Sequence, residues 1–264
     1  MKVKTTELKG NKGVLRFEDA ELYFVNSLRR VMLAELPKLA IDDVIIYDNT
    51  SALFDEMISH RLGLIPIPTD LSILSFRSEC KCGGKGCPSC TVRYTLSKEG
   101  ECVVYSGDLQ PEHPSFAITD TLIPIVELAK DQRIILEVEA VLGRGKDHAK
   151  WQVVLAPRYR MDTVISFDKK RLNDVKAFVQ SLPKDFVVDI KADRLELKDH
   201  SKLSMFEAYL EKNKDSLISV TKDPATLTFS FETDGSMSAK AALQESINIL
   251  AKKYEEFRGQ LKDI

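Results

Sequence analysis

Hydrophobic positions divide the first part of the chain into two strands and a helix. Residues 2–9 and 13–18 read as short strands on either side of a Gly-Asn pair, which predicts a β-hairpin. From residue 21 to 36, apolar side chains recur at spacings of three and four, which predicts an amphipathic helix that ends before Pro37. Its apolar stripe consists of Leu22, Val25, Leu28, Met32 and Leu36.

Extended segments dominate the pattern from residue 39 to 160. A strand at 39–51 precedes a second helix at 52–63, and further strand-like stretches follow closely. Two of these strands, 73–79 and 91–100, are predicted to flank a loop rich in cysteine and glycine. This part of the chain is therefore predicted to be mainly β.

The last hundred residues return to a mixed pattern. Residues 161–225 read as strand, helix, strand, strand, helix and strand, and this β-α-β-β-α-β order is ferredoxin-like. A strand at 226–233 and a turn at Asp234-Gly235 then precede a long helix that runs to residue 264, with Ser236 as candidate N-cap. The predicted fold class is α+β.

The long terminal helix carries a second apolar stripe. Its large side chains alternate spacings of four and three, the 3.5-residue period of a coiled coil. Such a stripe either packs on the sheet of its own chain or is shared with a partner subunit. The stripe consists of Leu243, Ile247, Leu250, Tyr254, Phe257 and Leu261.

Composition narrows the class of protein. The 264 residues carry a formal net charge of -2, with 44% hydrophobic and 30% charged residues, which is typical of a globular domain and gives no overall reason for nucleic-acid or membrane binding. The first ten residues are polar, and no apolar run approaches the length of a membrane-spanning helix. We therefore expect a cytoplasmic protein whose thiols stay reduced.

Four of the five cysteines fall within eleven positions. They follow the pattern C-x-C-x4-C-x2-C, and the glycines between them allow tight turns that let nearby sulfurs point at one centre. Four thiolates suit a closed tetrahedral zinc site, which has no open position for a substrate and is therefore structural. An iron–sulfur cluster is the main alternative, although the spacing differs from the common ferredoxin motifs. The ligands would be Cys80, Cys82, Cys87 and Cys90.

Cationic side chains outside this loop have two interpretations. The sequence LGRGKDHAKW at 142–151 lacks the glycine and lysine spacing of a phosphate-binding loop. What remains is a cationic loop that is either solvated or in contact with a partner. The adjacent Arg29 and Arg30 are typical of a solvated helix face, and His60 is typical of a packing or capping residue.

Long strings of the sequence resemble one family. They are FVNSLRRVMLAELPKLAIDDV, LFDEMISHRLGLIPIPTD, YSGDLQPEHP and IPIVELAKDQRIILEVEAVLGRGKDHAKW, followed by the long terminal helix. Together they resemble the family of archaeal RNA polymerase D-type subunits, the counterparts of the third-largest subunit of eukaryotic RNA polymerase II and of the bacterial alpha subunit. The resemblance covers nearly all of residues 1–160 and 226–264, whereas 161–225 matches in placement only.

This resemblance implies a domain organisation. Residues 1–40 and 226–264 would form an alpha-subunit-like dimerisation domain. Residues 41–160 would be an inserted mainly-β domain with a zinc loop at 80–90, and residues 161–225 a ferredoxin-like domain. Some archaeal relatives carry iron–sulfur clusters on cysteines of that last domain, but this chain has no cysteine after Cys102. We therefore expect no cluster there.

The resemblance also implies a role without catalysis in this chain. The family pairs with a small alpha-like subunit, called L, and this heterodimer seeds docking of subunits N and P and of the two largest, catalytic subunits of a DNA-dependent nucleotidyltransferase. The terminal stripe becomes the expected partner surface. Further partner-contact candidates are Asn26, Arg29, Arg30, His60, Arg61, Lys146, His148 and Lys150.

Two other classes of protein remain to be weighed. A free-standing zinc or iron–sulfur enzyme needs an open metal position or a low-potential cluster, and four cysteines without a nearby histidine or carboxylate at ligand spacing argue against an open position. The chain also lacks the clustered aspartates that would hold two catalytic magnesium ions. A zinc-knuckle chaperone or nucleic-acid adaptor predicts repeated cysteine motifs or interleaved basic and aromatic residues. The chain has one cysteine motif and one tryptophan, Trp151.

Overall fold

The computed structural model describes residues 1–184, 186–191, 194–197, 202–213 and 218–261. The chain divides into two compact units. The smaller unit comprises residues 1–3, 16–22 and 159–228, and the larger one comprises 4–15, 23–158 and 229–264. Some ends of predicted elements, at 198, 217 and 262–264, lie outside the described residues.

The described residues combine α-helices with strands whose resolved pairings are antiparallel, which confirms the α+β class. The strands are β1 (Lys2–Lys9), β2 (Lys12–Glu18), β3 (Pro37–Asn49), β4 (Thr91–Glu99), β5 (Cys102–Tyr105), β6 (Gln110–Pro111), β7 (Pro124–Leu128), β8 (Arg133–Arg144), β9 (Val154–Phe167), β10 (Val188–Lys191), β11 (Arg194–Leu197) and β12 (Ile218–Thr233). The α-helices are α1 (Leu22–Ala34), α2 (Asp55–Gly63), α3 (Leu172–Ser181), α4 (Leu203–Asn213) and α5 (Ala239–Gln260).

The core of the larger unit lies on an antiparallel sheet with strand order β3-β8-β4-β6. In the central strand β8, alternate residues from Ile134 to Ala140 are buried, so one face of the sheet covers the core and the other faces water. Helix α2 buries Ile58 and Leu62 in the same core. The small sheet formed by β5 and β7 also contributes buried residues to it. Strand β3 is bulged at two points of its pairing with β8.

Two helices of the larger unit each bury one stripe. In α1 the buried residues are Val25, Leu28, Val31 and Met32, so the predicted stripe is correct at its centre, whereas Leu22 is exposed. In α5 the buried residues are Ala239, Ala242, Ser246 and Leu250. The residues of α5 after Leu250 are exposed as far as Leu261. The buried residues of α5 therefore end at Leu250, and beyond it Lys253 forms an ion pair with Glu35.

The smaller unit has the predicted β-α-β-β-α-β order, made by β9, α3, β10, β11, α4 and β12. Strand β11 pairs antiparallel with both β9 and β10. The core of the smaller unit contains Val175 and Phe206, and the ring centre of Phe186 lies 5.3 Å from that of Phe206. Aliphatic and aromatic side chains thus fill this unit.

Three details of the predicted secondary structure are wrong. Residues 73–79 form turns rather than a strand, because Ile73 and Leu74 both donate backbone hydrogen bonds to Asp70. The stretches predicted as separate strands around residue 160 and around Pro224 are continuous in β9 and β12. The N-cap of α5 is Ser238, which accepts from Ala241 N, whereas the Ser236 hydroxyl donates to Asp234.

Strands β1, β2, β12 and β9 are hydrogen-bonded in that order. The β1–β2 hairpin confirms the prediction around Gly10-Asn11, where Gly10 adopts a φ of 56°. In the larger unit, Gly10 also accepts a hydrogen bond from Ala239 N, which fixes the start of α5.

Among the described helices, none combines the length and apolar character needed to cross a membrane.

Candidate metal centre and partner surfaces

The four cysteines of the loop converge on one point. Their sulfur atoms all lie within 4.8 Å of one another, although the loop is held by turns rather than by a hairpin. Three sulfur pairs are resolved as contacts: Cys80 to Cys87 at 3.5 Å, Cys82 to Cys90 at 3.7 Å and Cys87 to Cys90 at 3.9 Å. None of these distances is a disulfide, and all five cysteines are free thiols.

This arrangement fits a tetrathiolate metal ion. Four sulfurs at 2.3 Å from a tetrahedral zinc ion lie ~3.8 Å from one another, which the three resolved distances bracket. No other group of histidine, cysteine or carboxylate ligands comes together in the residues that the structure describes. The donor set suits zinc or iron, and both metals take four thiolates.

Local hydrogen bonds prepare the thiols for a cation. A backbone hydrogen bond from Cys87 lowers the pKa of Cys82 to about 5, so this thiol ionises readily. A backbone hydrogen bond at Cys82 likewise lowers the pKa of Cys80. Burial raises the pKa of Cys90 to about 11, because its thiolate lacks water. A bound cation is what allows a buried fourth sulfur to ionise beside three others.

Glycines with left-handed backbone shape the loop. Gly83, Gly84 and Gly86 have φ values between 65° and 82°, which L side chains rarely adopt. Backbone hydrogen bonds from Gly83 to Cys80 and from Cys90 to Cys87 close the two turns that carry the ligands. The structure therefore brings together the four cysteines that the sequence pattern singled out and places glycines at the left-handed turns between them, whereas their role as metal ligands stays a prediction.

The apolar stripe of α5 is divided between the interior and the surface. Leu250 is buried, with 9% of its surface exposed, and Leu243 is half-buried. The other four members are exposed: Ile247 at 44%, Tyr254 at 53%, Phe257 at 59% and Leu261 at 51%. An isolated helix end with three large apolar residues in water is typical of a surface that is covered by another chain. The partner role itself stays a prediction.

The arginine pair of α1 is also divided. Arg29 is half-buried and donates through Nε and Nη2 to Asn26 Oδ1, at 3.1 and 3.0 Å. Arg30 is exposed. The Asn26 side chain thus holds the guanidinium of Arg29 against the helix, whereas the guanidinium of Arg30 lies in solvent. Their role toward a partner is untested.

At the end of α2, His60 and Arg61 are exposed. Arg61 Nη2 donates to the Pro124 carbonyl at 2.6 Å, so it connects α2 to the start of β7. Exposed apolar residues accompany them on the same helix and its flanks: Phe54, Met57 and Leu64. This surface combines cationic and apolar groups and remains a candidate contact surface.

The cationic side chains at 144–150 are paired within the chain. Lys146 lies 3.7 Å from Glu35, and Lys150 forms an ion pair with Asp42 at 2.5 Å. Lys150 Nζ also lies 4.4 Å from the Trp151 ring centre, and His148 accepts from Lys150 N. Two of the four cationic side chains of this loop, Lys146 and Lys150, therefore have a carboxylate partner within the chain.

The glycines of the same motif allow close packing. A Cβ at Gly143 would lie 2.2 Å from the Trp151 ring, and one at Gly145 would lie 2.1 Å from the Leu33 carbonyl of α1. The Trp151 indole donates to Val141 O at 3.1 Å, and Lys146 N donates to Ala34 O at 3.0 Å. The motif that resembles a phosphate loop therefore joins β8 to the end of α1.

Sequence reasoning missed a buried ion pair. Lys38 is 3% exposed, lies 2.5 Å from Asp234 Oδ2 and donates to the Lys150 carbonyl at 2.8 Å. The contact between Lys38 Nζ and Asp234 Oδ2 is an ion pair, because its geometry does not meet that of a hydrogen bond. The one signal in the sequence was a lysine directly before a buried apolar run, LAI at 39–41.

Comparisons with known proteins agree with this picture. A family model described as "RNA polymerase Rpb3/RpoA insert domain" matches residues 44–168. Proteins named "DNA-directed RNA polymerase subunit Rpo3" are similar over almost the whole chain. The one from Picrophilus torridus is 33% identical over 97% of this chain and 98% of its own length. The one from Thermoplasma volcanium is 38% identical over 87% and 88%, and that from Methanosarcina mazei 36% over 100% and 99%.

Proposed function

The chain belongs to the family of DNA-directed RNA polymerase subunit Rpo3, and we propose that it serves as an assembly subunit of that polymerase without catalytic residues of its own. The observation that carries this proposal is similarity over nearly the full length of both proteins. Among the described residues, only the four cysteines come together as a possible metal-ligating group, which fits a chain that leaves metal-dependent catalysis to other subunits.

The first partner in this proposal is the small alpha-like subunit L. It would cover the exposed half of the α5 stripe, formed by Ile247, Tyr254, Phe257 and Leu261. Burial of apolar surface contributes roughly 25 cal/mol per Å², so a stripe of this kind provides a large share of the affinity of an obligate interface. Exposed Tyr23 on α1 adds a further apolar group.

The other proposed partners are subunits N and P and the two largest subunits. The surface at the end of α2, with His60, Arg61 and the exposed Phe54 and Met57, is the proposed contact for a large subunit. The exposed Lys146 and His148 would extend it, since an interface tolerates cations at its rim. DNA is reached only through the assembled enzyme, which we place in the cytoplasm.

The proposed metal is one structural zinc ion on Cys80, Cys82, Cys87 and Cys90. Support comes from the close convergence of four sulfurs and from the absence of any buried residue at 78–89. A loop without a core of its own needs another source of order, and a closed zinc site supplies it. No iron–sulfur cluster is proposed for the smaller unit, because no cysteine follows Cys102.

We retain the three-part domain organisation as part of the proposal. Residues 1–40 and 226–264 would form the dimerisation domain, 41–160 the inserted domain and 161–225 the ferredoxin-like domain. The family match at 44–168 supports an inserted domain close to these bounds.

The test is a pull-down of the tagged full chain from native extract at moderate salt, followed by mass spectrometry. We expect a small alpha-like subunit, two further small subunits and the two largest polymerase chains. Elution of the chain alone as a monomer would contradict the proposal and would favour a zinc-knuckle chaperone or adaptor. Size-exclusion chromatography of the eluate separates a true complex from adventitious capture.

A further inference from the structure

The Arg77 side chain joins the cysteine loop to the sheet. Arg77 lies just before the first cysteine, and its Nε donates to the Gly84 carbonyl at 3.2 Å. Gly84 belongs to the turn between Cys82 and Cys87. Because no residue from 78 to 89 is buried, apolar packing does not fix this turn. The guanidinium is therefore a principal contact that holds the loop backbone from beneath.

The other end of Arg77 is held by carboxylates of the sheet. Its Nη2 lies 3.2 Å from Glu139 Oε2 on β8, and its Nη1 lies 3.5 Å from Asp43 on β3. Glu139 pairs across strands with Asp43 on one side and with Arg93 on the other. These three positions form one row across the sheet, directly below the loop.

Glu139 is itself fixed in place. Its side chain is only 16% exposed, and its Oε1 accepts from Arg93 Nε at 3.0 Å while Arg93 Nη2 lies at 2.9 Å. The carboxylate raises the pKa of Arg93 by hydrogen bonding and charge attraction. Two arginines and two carboxylates thus form a balanced group, and its geometry leaves Arg77 little rotational freedom.

Close packing shows that the loop is fitted to this guanidinium. A Cβ at Gly86 would lie 3.1 Å from Arg77 Nη2, so the turn passes over the side chain at near-contact distance. Any side chain at residue 86 would also be strained by the positive φ of 82°. The glycines therefore serve the approach to Arg77 as well as the tight turns.

We propose that Arg77, held by Glu139, is a positioning residue of the metal centre: its guanidinium fixes the Gly83–Gly86 turn so that Cys82 and Cys87 face one point. This rests on the proposed zinc site. Groups that orient metal ligands without touching the metal commonly change affinity 10- to 100-fold when they are replaced. Lysine keeps the charge but has no planar fork to reach both Gly84 and Glu139.

The test compares zinc affinity of the full chain and its variants by competition with a chromophoric chelator. Arg77→Lys is expected to weaken zinc binding about tenfold. Glu139→Gln keeps the shape and one acceptor oxygen but removes the charge, and it is expected to weaken binding less. Cobalt(II) absorption of each variant reports whether four thiolates still bind the ion.

The matched control is Arg133→Lys. Arg133 begins β8, six residues before Glu139, and forms an ion pair with Asp48 near the end of β3. We expect unchanged zinc affinity for this variant. Equal affinities for wild type and Arg77→Lys would overturn the positioning role. If the wild-type chain takes up neither zinc nor cobalt, the zinc site itself is wrong and this inference falls with it.

Discussion

A single buried lysine joins three distant parts of the chain. Lys38 at the start of β3 contacts Asp234, which precedes α5, and the backbone of Lys150. Asp234 in turn receives hydrogen bonds from the Ser236 amide and hydroxyl, while its own amide donates to Val153 O. A buried ion pair adds little net stability over an apolar pair, but losing one partner leaves an uncompensated charge.

Replacing Lys38 by Met is therefore expected to destabilise the chain strongly. Removal of one partner from a buried pair costs roughly 3–5 kcal/mol, because Asp234 keeps its charge away from water. Urea unfolding of wild type and Lys38→Met measures the difference. The double variant Lys38→Met, Asp234→Leu is expected to recover part of the loss. An unchanged unfolding midpoint for the single variant would show that the pair is not structural.

Two glycines are expected to respond to alanine with opposite signs. Gly145→Ala places a methyl group against the Leu33 carbonyl, and such overpacking costs about 1–3 kcal/mol. Gly259 near the end of α5 has open space around its Cβ position, so Gly259→Ala stabilises by up to about 1 kcal/mol. Thermal unfolding of the two variants checks this. Equal effects would rule out close packing as the reason for Gly145.

At this scale the sequence predicted the convergence of the four cysteines but not the ion pairs. The four cysteines identify themselves by residue type and spacing. The partners of Lys146 and Lys150, by contrast, are Glu35 and Asp42, more than a hundred residues earlier in the chain. A local sequence pattern does not indicate which carboxylate will pair with a lysine in the folded chain. The sequence therefore gave no sign that lysines of the cationic loop have carboxylate partners.

Among the elements, α5 has two functions along its length. Its first half is anchored through Ala239, Ala242, Ser246 and Leu250, and the Ser246 hydroxyl donates to Ala242 O at 2.7 Å. Its second half is exposed on all sides and carries Tyr254, Phe257 and Leu261. A change at Leu250 is therefore expected to affect folding of the chain, whereas a change at Tyr254, Phe257 or Leu261 is expected to affect mainly what binds there.

Phe257→Asp is the clean test of partner binding. Loss of a large aromatic side chain from an interface centre typically costs about 2 kcal/mol or more, or ~30-fold in affinity. Co-purification of the alpha-like subunit with wild type and variant measures this effect. Lys252→Asp, at a residue whose side chain is 79% exposed, is the matched control. Wild-type affinity for Phe257→Asp would rule out the stripe as the contact.

The junction of α1 and α5 is expected to weaken in acid. Glu35 accepts a hydrogen bond from Lys253 at 2.9 Å, which lowers the pKa of Glu35 against the opposing effect of burial. A lowered folded-state pKa adds stability above the unfolded pKa of about 4.3, and this stability is lost as pH falls through the folded value.

Lys253→Met is accordingly expected to be less stable than wild type at neutral pH. The difference should stay within about 1 kcal/mol, because the lysine is half exposed. At a pH well below the lowered folded-state pKa, where Glu35 is protonated in both states, the two proteins should unfold alike. Denaturant unfolding across this range measures it. A difference that persists unchanged in acid would point to packing of the lysine stem instead.

Periodicity predicted most elements, and turn chemistry explains the failures. Strand β12 continues past Pro224 because the Asp223 side chain accepts from Ala225 N and from the Thr226 hydroxyl. These local bonds replace the ladder bond that a proline cannot donate. Residues 73–79 have strand-like composition, but the nearby Asp70 carbonyl captures the amides of Ile73 and Leu74 first. The spacing of hydrophobic residues does not reveal the hydrogen bonds made at Asp223 or at the Asp70 carbonyl.

On the scale of the whole molecule, the cysteine loop and the α5 stripe are independent features. No residue from 78 to 89 is buried, whereas the stripe is anchored by buried residues of α5. The first depends on the metal ion and the second on apolar burial. Their failures are therefore expected to be separable in experiment.

Cys87→Ser should lose the metal while dimerisation is retained. A serine cannot supply the fourth thiolate, so the loop loosens and zinc is released. Metal content by mass spectrometry, limited proteolysis of the loop and co-purification of the partner test this together. Treatment of the wild-type chain with a chelator is expected to have the same effect. Loss of partner binding at native helix content would refute the separation of the two features.

The two units differ in how far the sequence could predict them. The order of elements in the smaller unit followed from alternating strand and helix patterns. The division of the chain into residue sets as scattered as 1–3, 16–22 and 159–228 did not, because it depends on contacts between distant segments. The cysteine cluster could be predicted from the sequence for the opposite reason, because its four members lie within eleven positions of the chain.

The half-anchored terminal helix has a consequence for how much of this protein a cell can keep. A chain made in excess of its partner exposes Tyr254, Phe257 and Leu261 on a helix end that nothing else in the described chain protects. Proteases and chaperones act on exposed apolar surfaces, so under the proposed function the lifetime of the chain depends on the supply of its partner. Under the proposed function, the two subunits are then kept in matched amounts without a separate regulator, because only a chain in excess exposes the stripe and is removed.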